Sequence, residues 1–432
     1  MSDQKVPGAL VGIRVADFSR VLAGPYATMM MADFGADVIK IESPDGDDTR
    51  AWSPPVDASG QSTYFGSVNR NKRSIVCDLR TDAGLARAHS LAATADVVVE
   101  NFRPGVMERF GLDEATLRAV NPGLVYCSIT GFGREAGATL AGYDLLVQAV
   151  GGLMSITGQP EGGPTKVGVA LVDVLTGLNA LSGVLLALRE RERTGIGQRV
   201  DVDLMTTLLA GLTNQASSAL ATGAAPGRLG NAHPSIAPYE LFHATDRELI
   251  VAVGNDRQFR AFATVIGLPS LADDVRFATN ASRVGNREAL RAVIDGALRV
   301  SDARHWVDAC ASVGVPAGLV NDVGEAFEFA ASLGLEPLAR IGDPGTADVQ
   351  VQPANPIHLS GGGAQYRLRS PRLGEHGDAH WMGSRASVEA ASAEVASSVT
   401  VAATHVIEPP EPDPEPDPEP EPEPEPTEEG TP

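Results

Sequence analysis

Cysteine is scarce in this chain of 432 residues: three in all, Cys77, Cys127 and Cys310, far apart and with no CxxC pair. That excludes a disulfide framework and a cysteine-based metal knuckle, and it predicts buried, reduced thiols in a cytoplasmic protein. No run of about eighteen or more uncharged apolar residues occurs, so no segment reads as a membrane span. The opening MSDQKVPGAL lacks the basic-then-apolar build of a signal peptide. GxxxxGK[ST], GxSxG and HExxH are all absent, and the eight histidines are scattered. P-loop chemistry, a nucleophile-elbow hydrolase and metal catalysis therefore have no support. Basic residues are also in the minority, 34 against 55 acidic ones, for a net charge of −21. Eleven of the acids sit in residues 408–432 with eleven prolines, but the body stays acidic and has no basic stripe. Nucleic acid and anionic membrane are disfavoured as partners. The tail 408–432 has no apolar side chain beyond proline, which predicts a disordered, extended polyproline II segment behind a C-terminal extension at 386–407.

What is present is a chain with 43% apolar residues, enough for a large core and two or three domains. GIRVADF, ADVIKIE, SIVCDL, ADVVVE and LVYCSIT read as buried strands, with helical patterns between several of them. That alternation predicts an α/β fold with a parallel sheet covered by helices. A long helix is expected from about Val172 to Glu192, stopped by Thr194, Gly195 and Gly197. The predicted organisation is a large domain begun by residues 1–222, a Gly/Ala/Pro/Asn-rich linker at 223–238, and a smaller α+β domain at 239–321. The smaller domain is expected to hold a strand at LIVAVG and helices near 256–266, 285–298 and 302–313. Residues 322–385 read as short strands and loops that return to the large domain.

Four stretches carry candidate chemistry. SITGFGREAG places Gly131-x-Gly133-x-x-Ala136 after a strand, but no clean helix opens from it and no acidic residue follows at the required distance. A glycine-rich turn is the better account than a dinucleotide fingerprint. Asp173 lies in VGVALVDVLTGLNALSGVL, an apolar stretch at a helix start, among Gly168, Ala170, Gly177, Ala180 and Gly183. It is either a helix N-cap or an acid in a mostly dry pocket, kept ionised by the helix amides. Tyr143, and the pair Asn231 and His233 in GNAHPSIAPY, divide in the same way between bonded core or turn residues and site residues.

Taken together and in order, VADFSRVLAGPYATMMMADFGADVIKIE (15–42), SVNRNKRSI (67–75), VENFRPGVMERFGL (99–112), YCSITGFG (126–133), AGYDLLVQAVGGLMSITG (141–158), VALVDVLTGL (169–178), GNAHPSIAPYELF (230–242) and LGEH (373–376) resemble the class III CoA-transferase family. The resemblance runs from about residue 8 to 385. It implies a Rossmann-like large domain completed by the C-terminal part, a smaller domain, and an interlocked homodimer of ring-shaped subunits. It implies an enzyme that moves CoA between carboxylic acids without a resident cofactor, CoA itself being a substrate. Asp173 corresponds to the family's catalytic aspartate. The CoA contacts it implies are Val21, Leu22, Ser43, Cys77, Asp78, Leu79, Arg80, Asn101, Phe102, Arg103, Arg109 and the Ala141–Asp144 stretch with Tyr143. Arg103 and Arg109 suit phosphate, which guanidinium binds bidentately.

Departures within the family narrow the choice. The related acyl-CoA racemases carry a histidine where this chain has Tyr143, and a phenol is a poor substitute in their acid/base pair. Ser43 stands where formyl-CoA transferase has an arginine, and Leu22 where it has a glutamine. With GRLGNAHPSIAPY in place of the glycine-rich substrate loop, formate and oxalate are disfavoured. The motifs sit closest to the succinate–hydroxymethylglutarate type, so succinyl-CoA or a similar dicarboxyl-CoA is the expected donor. An α-carbon racemase and a non-catalytic acyl-CoA-binding paralogue are the alternatives. A second substrate carboxylate would need a cation: Arg20 first, or Arg70, Lys72 or Arg228, with Asn231 and His233 as donors.

Overall fold

The computed structural model of the protein describes residues 8–342, 345 and 349–382. The extension 386–407 and the tail 408–432 lie outside the described residues. Six strands form one sheet: β1 (Arg14–Asp17), β2 (Asp37–Glu42), β3 (Lys72–Val76), β4 (Val97–Glu100), β5 (Val125–Thr130) and β6 (Arg199–Asp203). Their spatial order is β3-β2-β1-β4-β5-β6, and every pairing is parallel. Val15 of β1 lies opposite Val38 on one side and Val97 on the other.

Strand alternation builds a core on each face. Val15, Val97, Val99, Val125 and Cys127 face one way, onto the helices Ala23–Asp33 and Leu171–Thr194. Ala16, Val98, Leu124 and Tyr126 face the other, onto Ala88, Leu91 and Ala92 of the helix Asp82–Thr94. Strands covered on both faces need no polar side, which is why β1, β2, β4 and β5 are legible as apolar runs. The sixth strand, RVDVD, alternates, contains no fully buried residue, and is missing from the sequence expectation.

The long helix spans Leu171–Thr194 and ends at Gly195, whose φ of 73° is the left-handed conformation that glycine takes freely. It packs closely on Ala23–Asp33 because Gly177 has no side chain: a Cβ there would stand 2.6 Å from the Ala23 carbonyl oxygen. By length and composition it is also the one described helix able to cross a membrane, with half of the qualifying window buried inside the protein. The sequence reading passes over it because Asp173 and the charges after Leu188 bound its apolar run.

A separate core gathers residues between Ala237 and Leu319 around the antiparallel strands β7 (Tyr239–His243), β8 (Glu248–Ala252) and β9 (Ala317–Leu319). Its helices include Asp256–Val265, Arg287–Leu298 and Ala303–Ser312. Residues after 322 open on a helix, Val323–Ser332, and not on the strands and loops expected. Asp322 and Glu325 form a capping box there, a signal present in the sequence. The hairpin β10 (Leu338–Ile341) and β11 (Gln350–Pro353) follows. Its far end then meets the first sheet: the Asn71 amide donates to the Leu368 carbonyl at 2.8 Å, and Asn355 Nδ2 to Asp33 Oδ2 at 3.0 Å.

Candidate active site

The strand order reverses between β1 and β4, and a doubly wound sheet leaves a crevice beyond the carboxyl ends of its strands at that point. A cavity of about 180 Å³ opens there. Arg20–Ala23 after β1, Asn101–Pro104 after β4, residues 129–133 at the end of β5, and 137, 138 and 140–143 beyond it wall it, with Asp173 from the long helix. The loop after β5 is pinched shut by two glycines, since a Cβ on Gly131 would lie 2.4 Å from the Gly142 Cα. The Gly131/Gly133 pattern thus serves a tight cavity-lining loop, and the next helix opens only at Asp144.

Asp173 is the third residue of its helix and caps nothing. The N-cap, Ala170, has no side-chain acceptor, and Asp144 of the helix Asp144–Val150 supplies one from outside. Its Oδ2 accepts the amides of Val172 at 2.8 Å and Asp173 at 3.2 Å. Gln148 donates to the other Asp144 oxygen and accepts the Val167 amide at 2.9 Å, fixing the loop that leads in. The helix amides expected to hold the Asp173 carboxylate in its ionised form are therefore committed elsewhere. Among the described residues that carboxylate has no hydrogen-bond or ion-pair partner. Burial, reinforced by the like charge of Asp144, pushes the Asp173 carboxyl up to about 7. Burial, together with the charges of Asp173 and Asp144, also raises the Tyr64 phenol to about 12, which marks Tyr64 as a protonated neighbour. Tyr64 has no place in the sequence reading, and Asp144 enters it only within a CoA-contacting stretch. Neither proximity has a signal in local spacing.

The structure brings most of the sequence-designated residues to two adjoining cavities. Val21, Leu22, Asn101, Phe102, Arg103 and Tyr143 share the first with Asp173. Ser43, Cys77, Asp78, Leu79 and Arg80 line a second of about 270 Å³. Arg20 and Phe102 line both, and the Arg20 guanidinium lies 5.0 Å from the Phe102 ring centre and 3.6 Å from Asp48. Arg80 is held by Asp78 at 2.8 Å, whereas Arg103 has no ion-pair partner among the described residues. Arg109, exposed at the end of a short helix, lines neither cavity.

Asn231 and His233 also line neither. The His233 ring accepts the Ser235 amide at 3.1 Å and packs against Tyr239, at the edge of the 237–319 core. Two of the cations considered for a second carboxylate are spent elsewhere. Arg70 is buried against Asp33 at 2.7 Å, and Lys72 against Asp17 at 3.1 Å. Arg228 donates to the Gln159 and Gly162 carbonyls. Arg20 alone of that set reaches the Asp173 cavity.

An unpartnered carboxylate thus lines a crevice at the switch point of a Rossmann-like sheet. The chain belongs to CoA-transferase family III, whose pattern matches residues 10–377, and it is an enzyme of that class. It is 45% identical over 385 residues to a succinate–glutarate CoA-transferase of Agrobacterium fabrum, covering 87% of this chain and 95% of that one. It is 41% identical over 379 residues to an acetyl-CoA:oxalate CoA-transferase of Acetobacter aceti, covering 87% and 95%. A succinyl-CoA:glutarate CoA-transferase of Mus musculus matches at 38% over 369 residues, covering 85% and 84%. A crystal structure of a CAIB/BAIF family protein from Brucella suis superposes with a TM-score of 0.77 at 42% identity, covering 90% of this chain and all of that one.

Proposed function

We propose that the protein transfers CoA from succinyl-CoA, or a similar dicarboxyl-CoA, to a second short carboxylic acid, with Asp173 as the covalent nucleophile. The observation that carries this is the unpartnered Asp173 carboxylate facing the crevice. An Asp173 oxygen adds to the thioester carbonyl and the C–S bond breaks, leaving an aspartyl–acyl anhydride and CoA thiolate. The thiolate attacks the aspartyl carbonyl, the donor acid leaves, and an aspartyl–CoA thioester remains. The acceptor carboxylate reverses the two steps and restores Asp173. No proton need be lost or gained overall, and the exchange calls for no resident cofactor. An anhydride must be kept from water, which suits the apolar walls given by Ile129, Phe132 and Leu204.

Dicarboxylates are favoured by the names of the Agrobacterium and mouse relatives and by Arg20 in the cavity. The Acetobacter relative is named for oxalate, one of the acids disfavoured from the loop at 227–239. The α-carbon racemase reading has no support in a site with Tyr143 at the cavity wall. We also propose a homodimer acting in the cytoplasm. The helix Thr213–Thr222 buries no residue, and Leu186 and Leu220 are 72% and 88% exposed, an apolar surface that a second copy would cover and that would bring further groups to each cavity. The test is a matrix of acyl-CoA donors and acid acceptors incubated with purified protein and read by mass spectrometry. Transfer confined to dicarboxylates supports the reading, and inversion at an α-carbon without acyl exchange would replace it.

A further inference from the structure

The transfer chemistry leaves unused a dense set of buried charges on β1, on β2 and the loop after it, and at the start of β3. Lys40 Nζ stands 2.9 Å from Asp47 Oδ2, and Lys72 Nζ 3.1 Å from Asp17 Oδ2, with all four side chains fully buried. Glu42 pairs with Arg50 at 2.7 Å and accepts the Asp47 amide at 3.0 Å, so acids and bases balance three to three. Buried ion pairs are weak evidence of stability, because desolvation offsets much of their attraction. What this set does is grip one turn. Asp17 Oδ1 accepts the Ser19 amide at 3.0 Å, Lys40 donates to the Ser19 carbonyl at 2.8 Å, and both Asp47 oxygens accept the Val21 amide, at 3.2 and 3.3 Å.

Val21 has φ of 68°, a left-handed conformation that a β-branched residue adopts only under constraint. Arg20 and Leu22 on either side of it line the Asp173 cavity. The opposite wall completes the clamp: the Arg20 amide donates to Asn101 Oδ1 at 2.8 Å, and Asn101 Nδ2 donates to the Arg20 carbonyl at 2.7 Å. We propose that Asp47, backed by Lys40, is a positioning residue for acyl-CoA: it holds Val21 in its strained conformation and so sets the Arg20–Leu22 turn before substrate arrives. The proposal rests on the CoA-transferase reading and deepens it.

The experiment measures CoA affinity by titration calorimetry, apart from turnover, for wild type, D47N, V21G and D47N/V21G. Glycine takes φ near 68° without help, so the role of Asp47 should vanish once residue 21 is glycine. D47N is expected to weaken CoA binding about tenfold or more. V21G should weaken it by only about threefold, through the lost side chain, and D47N/V21G should bind no worse than V21G. K40M/D47L, which leaves no lone buried charge, should match D47N and likewise be rescued by V21G. Unchanged binding in D47N, or losses that simply add in D47N/V21G, would overturn the proposal. So would failure of both D47N and K40M/D47L to fold, since the network would then serve the fold alone. A wild-type protein that does not bind CoA would instead overturn the transferase reading.

Discussion

The Asp144 carboxylate accepts the backbone amide of Asp173 at 3.2 Å, so the acid that completes the start of the long helix also crowds the proposed nucleophile with like charge. A carboxyl near 7 is protonated, and not nucleophilic, through the mildly acidic range. Turnover per unit of acyl-CoA should therefore fall as pH drops below about 7. Asp144→Asn keeps an oxygen for the Val172 and Asp173 amides but removes the charge. Its acidic limb should move to lower pH, partially, because burial is the larger cause. A limb that stays in place or moves upward in a pH–rate profile would contradict this account.

The same raised carboxyl has a cost in stability. In the unfolded chain Asp173 titrates near its ordinary 3.8, so the folded state holds its proton more tightly and loses stability as pH rises from about 4 through about 7. Asp173→Asn should then match wild type in urea unfolding near pH 4. At pH 8 it should be more stable by about 2–4 kcal/mol. A variant less stable than wild type at pH 8 would show that the site carries no such strain.

Asp173→Ala should fold, bind CoA and lose transfer by about 10³-fold or more, because the covalent step has no substitute. Hydroxylamine added during wild-type turnover should leave a hydroxamate at Asp173, seen by peptide mass spectrometry. Near-normal turnover in the alanine variant would end the proposed mechanism.

Arg20→Met tests the acid class. Arg20 stacks near Phe102 at 5.0 Å, a contact methionine keeps in part, while the charge facing the cavity is lost. Use of succinate should fall by about tenfold more than use of a monocarboxylate of equal length. Equal losses for the two acids would remove the dicarboxylate reading.

Gly177→Ala sets helix propensity against packing. Alanine favours a helix interior by roughly 1 kcal/mol, but its Cβ would press to 2.6 Å from the Ala23 carbonyl. Overpacking of that kind costs about 1–3 kcal/mol, so the variant should melt lower. It should also lose activity, because Asp173 lies one turn away on the same helix. A higher melting temperature with full activity would show that the two helices yield easily.

The parts legible in the sequence are those whose signal is local. β1, β2, β4 and β5 announce themselves because both faces of each are covered, and Gly195 ends the long helix where a left-handed residue is required. β6 is hidden because an edge strand of alternating Arg, Val and Asp resembles a charged loop. Asp144 and Asp173 are twenty-nine positions apart, and which of them caps the helix depends on how two helices meet. Arg70 and Lys72 resemble free cations until the fold buries them against Asp33 and Asp17. The helix Val323–Ser332 is different, since its capping box was readable and only the weak burial of its face concealed it.

The hub at Asp33 bears on how the protein is made. All six strands of the sheet are encoded before residue 204, yet Arg70, Asn71 and Asp33 wait for partners at Gln352, Asn355 and Leu368. As the chain leaves the ribosome, the sheet must stay with this polar seam open while well over a hundred further residues are synthesised. The second core, drawn from residues 237–319, lies wholly within that interval. Every residue of the smaller core is therefore synthesised before the larger one can be sealed, and a chain truncated short of residue 350 would lack the partners that close the seam.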